Sequence, residues 1–218
     1  MFTILRTTPS ASFPQIANDL FNKYIIRVND NFYRLLEIEF YYNDAGAHID
    51  TYTHGHKWQK RSGYWYVHGS GIDIAIGNEQ AAGGILLRSI QKLHPKPTDK
   101  KEQYTFGPLN VLTELVSGFN NCFNGEPNVF ALVPPGDNGI ELEKVEDENI
   151  VQCGRIGLAP IKDETFHKSQ YRYLIHPHLP HKEKTNIALA LMEKWGSSTE
   201  SLDKIKQILG SEFLKEYR

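Results

Sequence analysis

Cysteine is scarce in this 218-residue chain: only Cys122 and Cys153 occur, and no CxxC pair exists. Their scarcity excludes a disulfide framework and a structural zinc site of the usual cysteine type, and it fits a reducing compartment. Long hydrophobic runs are missing as well. No apolar stretch approaches the ~20 residues that cross a bilayer, and the opening MFTILRTTP lacks the apolar core of a secretory signal. A cytoplasmic protein with no membrane partner is therefore expected. Charge of one sign is also missing. With 24 Lys and Arg against 26 Asp and Glu, the formal net charge is −2, without the basic excess usual in proteins that grasp nucleic-acid backbones. Basic residues gather only locally, at Lys57, Lys60 and Arg61 and at Lys92, Lys96, Lys100 and Lys101. Several catalytic fingerprints are absent too: Gly69-Ser-Gly71 lacks the third glycine of a dinucleotide loop, and no GxxxxGK[ST], GxSxG or HExxH is present.

What is present is an ordinary globular balance, 40% hydrophobic and 23% charged, which excludes wholesale disorder. The length suits one domain over 1–180 followed by a helical extension over 181–218. Apolar spacing predicts a helix over 13–21 with Ile16, Ala17, Leu20 and Phe21 on one side, and Pro14 sits where a first-turn proline is tolerated. Strands are expected at 24–28 and 33–42 around the turn Asn29-Asp30-Asn31, then at 64–68, 72–76 and 84–90. A histidine-rich loop fills 43–62 and a Lys- and Pro-rich linker 93–103. A helix over 107–119 would bury Leu109, Leu112, Leu115, Val116 and Phe119, and a hairpin is expected from 129–133 and 140–145. Two helices, over 185–195 and 201–209, and a short third occupy the tail. The elements define an α+β chain.

The most informative stretch is 33–42, YRLLEIEFYY. Strand side chains alternate, so Leu36, Ile38 and Phe40 would face the core while Glu37, Glu39 and Tyr41 share the other face. Acids ~7 Å apart on one face repel, and in a cleft one of them gains proton affinity. That is the arrangement of a general acid or base beside a stacking ring; the alternative is a solvated acidic face on an edge strand. His48, Asp50, His54 and His56, with Glu37 or Glu39, offer nitrogen and oxygen ligands suited to zinc or iron. Their spacing follows no recognised ligand rhythm, so no essential metal is expected.

The order of these segments resembles the alkylpurine (3-methyladenine) DNA glycosylase family. The succession runs through 16–27, the 36–41 strand, Ala47-His48, Gly63-Tyr-Trp-Tyr66, Gly84-Ile-Leu-Leu-Arg88, Gly107-Pro-Leu-Asn-Val-Leu112, Arg155-Ile-Gly157 and Tyr171-Arg-Tyr-Leu174. It spans about Leu5 to His176 and leaves the helical tail outside. The resemblance implies an antiparallel, partly closed barrel-like sheet flanked by helices. It also implies a base-excision enzyme that flips out an alkylated purine from damaged DNA and hydrolyses its N-glycosidic bond without a cofactor.

Residue by residue, the resemblance makes Glu39 the catalytic general base, Tyr41 and Tyr66 the rings that sandwich the extruded base, His48 the pocket histidine, and Arg88 an active-site arginine. Glu37 and Glu39 remain interchangeable on the residues alone. The chain departs from the family at three points. Basic but non-arginine-rich residues fill 55–62, the turn His68-Gly-Ser-Gly71 is short and carries no tyrosine to wedge into a duplex, and the pocket asparagine is missing unless Asp73 or Asn78 replaces it. Mismatched or single-stranded DNA is therefore the expected partner. The competing readings are a non-DNA or metal-dependent hydrolase on the same pocket and a non-catalytic binding relative.

Overall fold

The computed structural model describes residue 4, residues 7–159 and residues 164–210. The chain opens with α1 (Phe13–Asn22), β1 (Ile25–Val28), β2 (Asn31–Asp44) and β3 (His48–Ile49). It continues with β4 (Trp65–His68), β5 (Gly71–Ala75), β6 (Ala82–His94), β7 (Tyr104–Phe106), α2 (Pro108–Ser117) and β8 (Phe130–Val133). The last elements are β9 (Val151–Cys153), α3 (Glu164–His167), β10 (Arg172–Leu174), α4 (Lys184–Trp195) and α5 (Thr199–Leu209). The short third tail helix expected from the sequence lies outside the described residues.

All described strand pairs are antiparallel, and the main path runs β4-β5-β6-β2-β1-β8. The class is the expected α+β, with helices flanking the sheet and a helical C-terminus. The sheet does not close into a barrel. Its two end strands, β4 and β8, form no ladder; Trp65 joins them instead, stacking 4.2 Å from Phe130 and donating Nε1–H to the Phe130 carbonyl at 3.0 Å.

β2 is the spine. One edge pairs with β6 from Phe32 to Asn43, and the other is taken in turn by β1, β10 and β3. Being paired on both edges and covered on both faces, it is buried from Phe32 to Phe40. This overturns the solvated edge-strand alternative. Leu36, Ile38 and Phe40 face the main core as the alternation requires, and Phe13 of α1 stacks on Phe40 at 4.4 Å. Glu37 and Glu39 lie on the opposite side and are also buried. The extension does not stand apart from the sheet. Ile187 and Leu191 of α4 and Ile205 and Leu209 of α5 form a second apolar cluster with Val151, Cys153 and Leu174.

Three local expectations are corrected. No strand forms over 140–145: side-chain bonds tie this segment down, Asn22 bridging the Val145 N–H and carbonyl and Arg34 capping the Glu143 carbonyl, while β8 pairs with β1. The 93–103 linker is shorter than expected, because β6 continues to His94 and a 3-10 turn spans Lys100–Gln103. In α2 the buried residues are Val111 and Leu115, whereas Leu109, Val116 and Phe119 are exposed. The neighbouring β5 and β6 admit only the narrow stripe that includes Val111 and Leu115. Accordingly, Leu115→Ala should lower the unfolding free energy by ~2–5 kcal/mol, while Leu109→Ala should change it by less than ~0.5 kcal/mol. Urea titrations of both variants distinguish this register from the one read off the sequence.

Candidate functional site

The two acids of β2 are held in different ways. Glu37 Oε1 accepts from Arg88 Nε at 2.9 Å and Arg172 Nε at 2.8 Å; Oε2 accepts from the Ser89 hydroxyl at 2.8 Å and His181 Nδ1 at 2.9 Å. A carboxylate offers about four lone-pair sites, so Glu37 is filled. Glu39 Oε1 accepts from the Ile156 N–H at 2.8 Å, and Oε2 accepts from the Tyr41 hydroxyl at 2.9 Å and Arg88 Nη1 at 3.1 Å. Three protein donors thus reach Glu39, one fewer than reach Glu37. The β2–β6 ladder is irregular here: Glu37 pairs with Ser89 and Ile38 with Leu87, leaving Leu36 and Arg88 outside the register. Such irregularities re-aim side chains, and Arg88 reaches both acids.

The proton affinities diverge for the same reason. At Glu37, burial pushes the carboxyl up, but the His181 bond and the Arg172 and Arg88 charges outweigh it and hold the group well below the usual glutamate range. At Glu39, complete burial dominates over Arg88 and the Ile156 N–H, and the carboxyl is raised. The carboxylate that binds protons more readily is thus the one with fewer donors.

A cavity of ≈ 250 Å³ is lined by Tyr41, Tyr52, His68, Asp73, Arg88 and Ile156 among others, while Glu39 itself is fully buried behind that wall. Three of these residues are the donors that hold Glu39. Behind Tyr41, Arg155 is clamped to Asp50 at 2.6 and 3.2 Å, with both side chains fully buried, and its guanidinium lies 4.5 Å from the Tyr41 ring centre. Arg155 therefore fixes the ring, and its neighbour Ile156 delivers the N–H to Glu39. On the far wall, Asp73 accepts from His68 Nε2 at 3.0 Å and Gln59 Nε2 at 3.2 Å, while His68 Nδ1 accepts the Ser70 N–H at 3.2 Å. That pattern assigns the His68 proton to Nε2. Gly84, opposite Tyr41 in the ladder, leaves the room Asp73 needs, since a Cβ there would overlap its carboxylate.

Of the residues singled out from the sequence, Tyr41 and Arg88 line this cavity, and Glu39 does not line it but is hydrogen-bonded to both from behind. His48 and Tyr66 do not line it. His48 is buried against Phe166 at 4.6 Å, donating from Nδ1 to the Tyr42 carbonyl at 2.7 Å and receiving the Tyr171 hydroxyl on Nε2 at 2.9 Å. Tyr66 is stacked on His56 at 5.0 Å and His68 at 5.1 Å, so His68 rather than Tyr66 reaches the cavity. Sequence reasoning missed Tyr52, Gln59, Arg172 and His181. The last two carry no local signal, because they arrive 135 and 144 residues after Glu37. Cys153 is buried and its thiol is pushed up to about 11, so it is no nucleophile. Among the described residues no group of three His, Cys, Asp or Glu side chains is arranged to hold a metal ion. No described helix is long and apolar enough to cross a membrane.

No protein-family model matches the chain. It is 28% identical over 208 residues to an uncharacterized protein of Acanthamoeba polyphaga mimivirus, a match covering 80% of this chain and 91% of that protein.

Glu37→Gln would leave Arg88, Arg172 and His181 facing a neutral amide in a buried site. It should cost ~3–5 kcal/mol of stability. Glu39→Gln should cost clearly less, because burial already disfavours that charge and Arg88 keeps Glu37. Urea midpoints of the two variants decide the order.

Proposed function

We propose that this protein is a DNA glycosylase of the base-excision type, which receives an extruded alkylated purine in the Glu39 cavity and hydrolyses its N-glycosidic bond. The observation that carries the reading is Glu39 itself: a buried carboxylate of raised proton affinity, held by the tyrosine and the arginine that wall the cavity. The order of motifs along the chain supports the same reading.

The cavity falls below the ~300–1,000 Å³ of pockets for drug-sized ligands, which suits a single ring system. Tyr41 and Tyr52 offer π-faces, and the Asp73 carboxylate suits a base that carries an amino group or a positive charge. In the reaction, a water activated by the Glu39 carboxylate attacks the anomeric carbon. Its proton passes to the carboxylate, the new C–O bond forms, and the C–N bond breaks with its electron pair leaving on the purine nitrogen. An alkylated cationic purine is discharged by that electron pair and leaves neutral. Arg88 and the Ile156 N–H favour the ionised carboxylate and hold it in place.

Glu39→Gln should lower release of 3-methyladenine from a damaged oligonucleotide by ~100-fold or more, with unchanged circular dichroism. Undiminished release by the folded variant would sink the reading.

The pH profile supplies an independent check. The base must be ionised, and its carboxyl is raised above the ordinary ~4.3. The acid limb of kcat/KM should therefore fall at a pH above the ordinary glutamate value, and activity should be lost as pH drops through it. A limb at or below ~4.3 would assign the base elsewhere.

A further inference from the structure

Residues 51–72 contain no Asp or Glu, although the whole chain carries an acidic excess. The same 22 residues hold Lys57, Lys60 and Arg61, three histidines, and five of the chain's Tyr and Trp side chains. Part of this set is exposed. Trp58 is 37% and Tyr64 49% accessible, and their rings stack 6.1 Å apart at 29°. The Arg61 guanidinium lies 4.9 Å from the Trp58 ring centre and 4.6 Å from that of Tyr64. Among the described residues no carboxylate forms an ion pair with Lys57, Lys60 or Arg61. Two exposed rings and three unpaired cations therefore share one strip, beginning with the 3-10 turn Lys57–Lys60.

The strip is contiguous with the cavity. Gln59, in the middle of the turn, is buried and donates to Asp73 on the cavity wall, while its neighbours Trp58 and Lys60 face outward. His56 caps the turn by accepting the Trp58 N–H and also stacks on Tyr66. A polymer whose base occupies the cavity would pass its adjoining nucleotides over Trp58 and Tyr64.

We infer that the strip 57–64 is a stacking and phosphate-binding platform for the single strand of nucleic acid that flanks the base in the cavity, an inference that rests on the glycosylase reading of that cavity. Aromatic faces that accept any base, interleaved with cations that accept phosphate, are the recurrent means of holding a single strand without reading its sequence. A paired helix keeps its base faces stacked and offers none to Trp58 or Tyr64. The short turn His68–Gly71 carries no tyrosine to open it, and its one ring, His68, is tied to Asp73.

The test uses an undamaged fluorescein-labelled oligothymidylate, its duplex, and vesicles of phosphatidylcholine and phosphatidylserine, titrated at ~50 and ~200 mM salt. The wild type should bind the single strand more tightly than the duplex and quench Trp58 emission. Trp58→Ala and Tyr64→Ala should each weaken single-strand binding by ~10-fold, and Trp58→Phe should restore most of it. Lys60→Ala should reduce the slope of log affinity against log salt by about one phosphate contact.

Unchanged affinity in Trp58→Ala and Tyr64→Ala, or equal wild-type binding to duplex, would overturn the platform. So would vesicle binding that depends on Trp58 while oligonucleotide binding does not. Because this probe carries no lesion, the outcomes separate. Trp58-dependent binding without base release leaves the platform standing and removes the glycosylase reading. Glu39-dependent release with Trp58-independent binding does the reverse.

Discussion

A carboxylate sunk in the middle of a sheet sets the terms for the rest of this molecule. Moving Glu37 out of water costs several kcal/mol, and the cost is offset only if charge and hydrogen-bonding capacity are met together. Four elements meet there: β2 carries the acid, β6 brings Arg88 and Ser89, β10 brings Arg172, and the segment before α4 brings His181. Arg172 in turn donates to the Lys182 carbonyl, so the network also fixes the start of the C-terminal extension. The helices of that extension are bound to the sheet by apolar packing on β9 and β10 and by a buried charge network.

Filling Glu37 is what frees Glu39. Arg88 is shared between the two acids, Nε to one and Nη1 to the other, and Arg172, whose charge acts on both, donates its hydrogen bond to Glu37 only. Two adjacent, equally ionised acids would repel each other strongly at this depth. The uneven supply of donors separates them into a permanently charged structural acid and one whose protonation is responsive. Opposed shifts in neighbouring titratable groups are a recurrent basis for acid–base chemistry. Here the asymmetry comes from where Arg172 of β10 and His181 before α4 place their donors, both on Glu37.

Much of this is legible in the chain, and the illegible part is of one kind. Alternation along 33–42 already separates Leu36, Ile38 and Phe40 from Glu37, Glu39 and Tyr41, and the helix over 13–21 follows from apolar spacing. The distinction between Glu37 and Glu39 is not legible, since it depends on which distant strand pairs with β2. The same holds for β8, whose apolar residues mark it as a strand without revealing that β1 is its partner. For α2 the local pattern was even misleading. Five apolar residues fit one helical side, yet Val111, outside that set, is buried where β5 and β6 lie. His48 was legible as a histidine beside the strand, but its two nitrogens are taken by Tyr42 and Tyr171, partners that only the fold brings together.

The segment after β9 shows how closely support and chemistry are joined. Arg155 donates to Asp50 and to the Phe40 and Phe166 carbonyls, and its guanidinium backs the Tyr41 ring. The next residue turns its N–H to Glu39, and Ile156, Gly157 and Leu158 then form part of the cavity wall. A cation anchored by a fully buried acid cannot drift, so the ring and the N–H are held in a fixed relation to the carboxylate before any ligand arrives. In the proposed reaction, such preorganisation removes the cost of aligning these groups. It also restricts variation in the cavity to the opposite wall. There Asp73, His68 and Gln59 are held together by hydrogen bonds and not by the Glu37 network, so they can change without unseating Glu39.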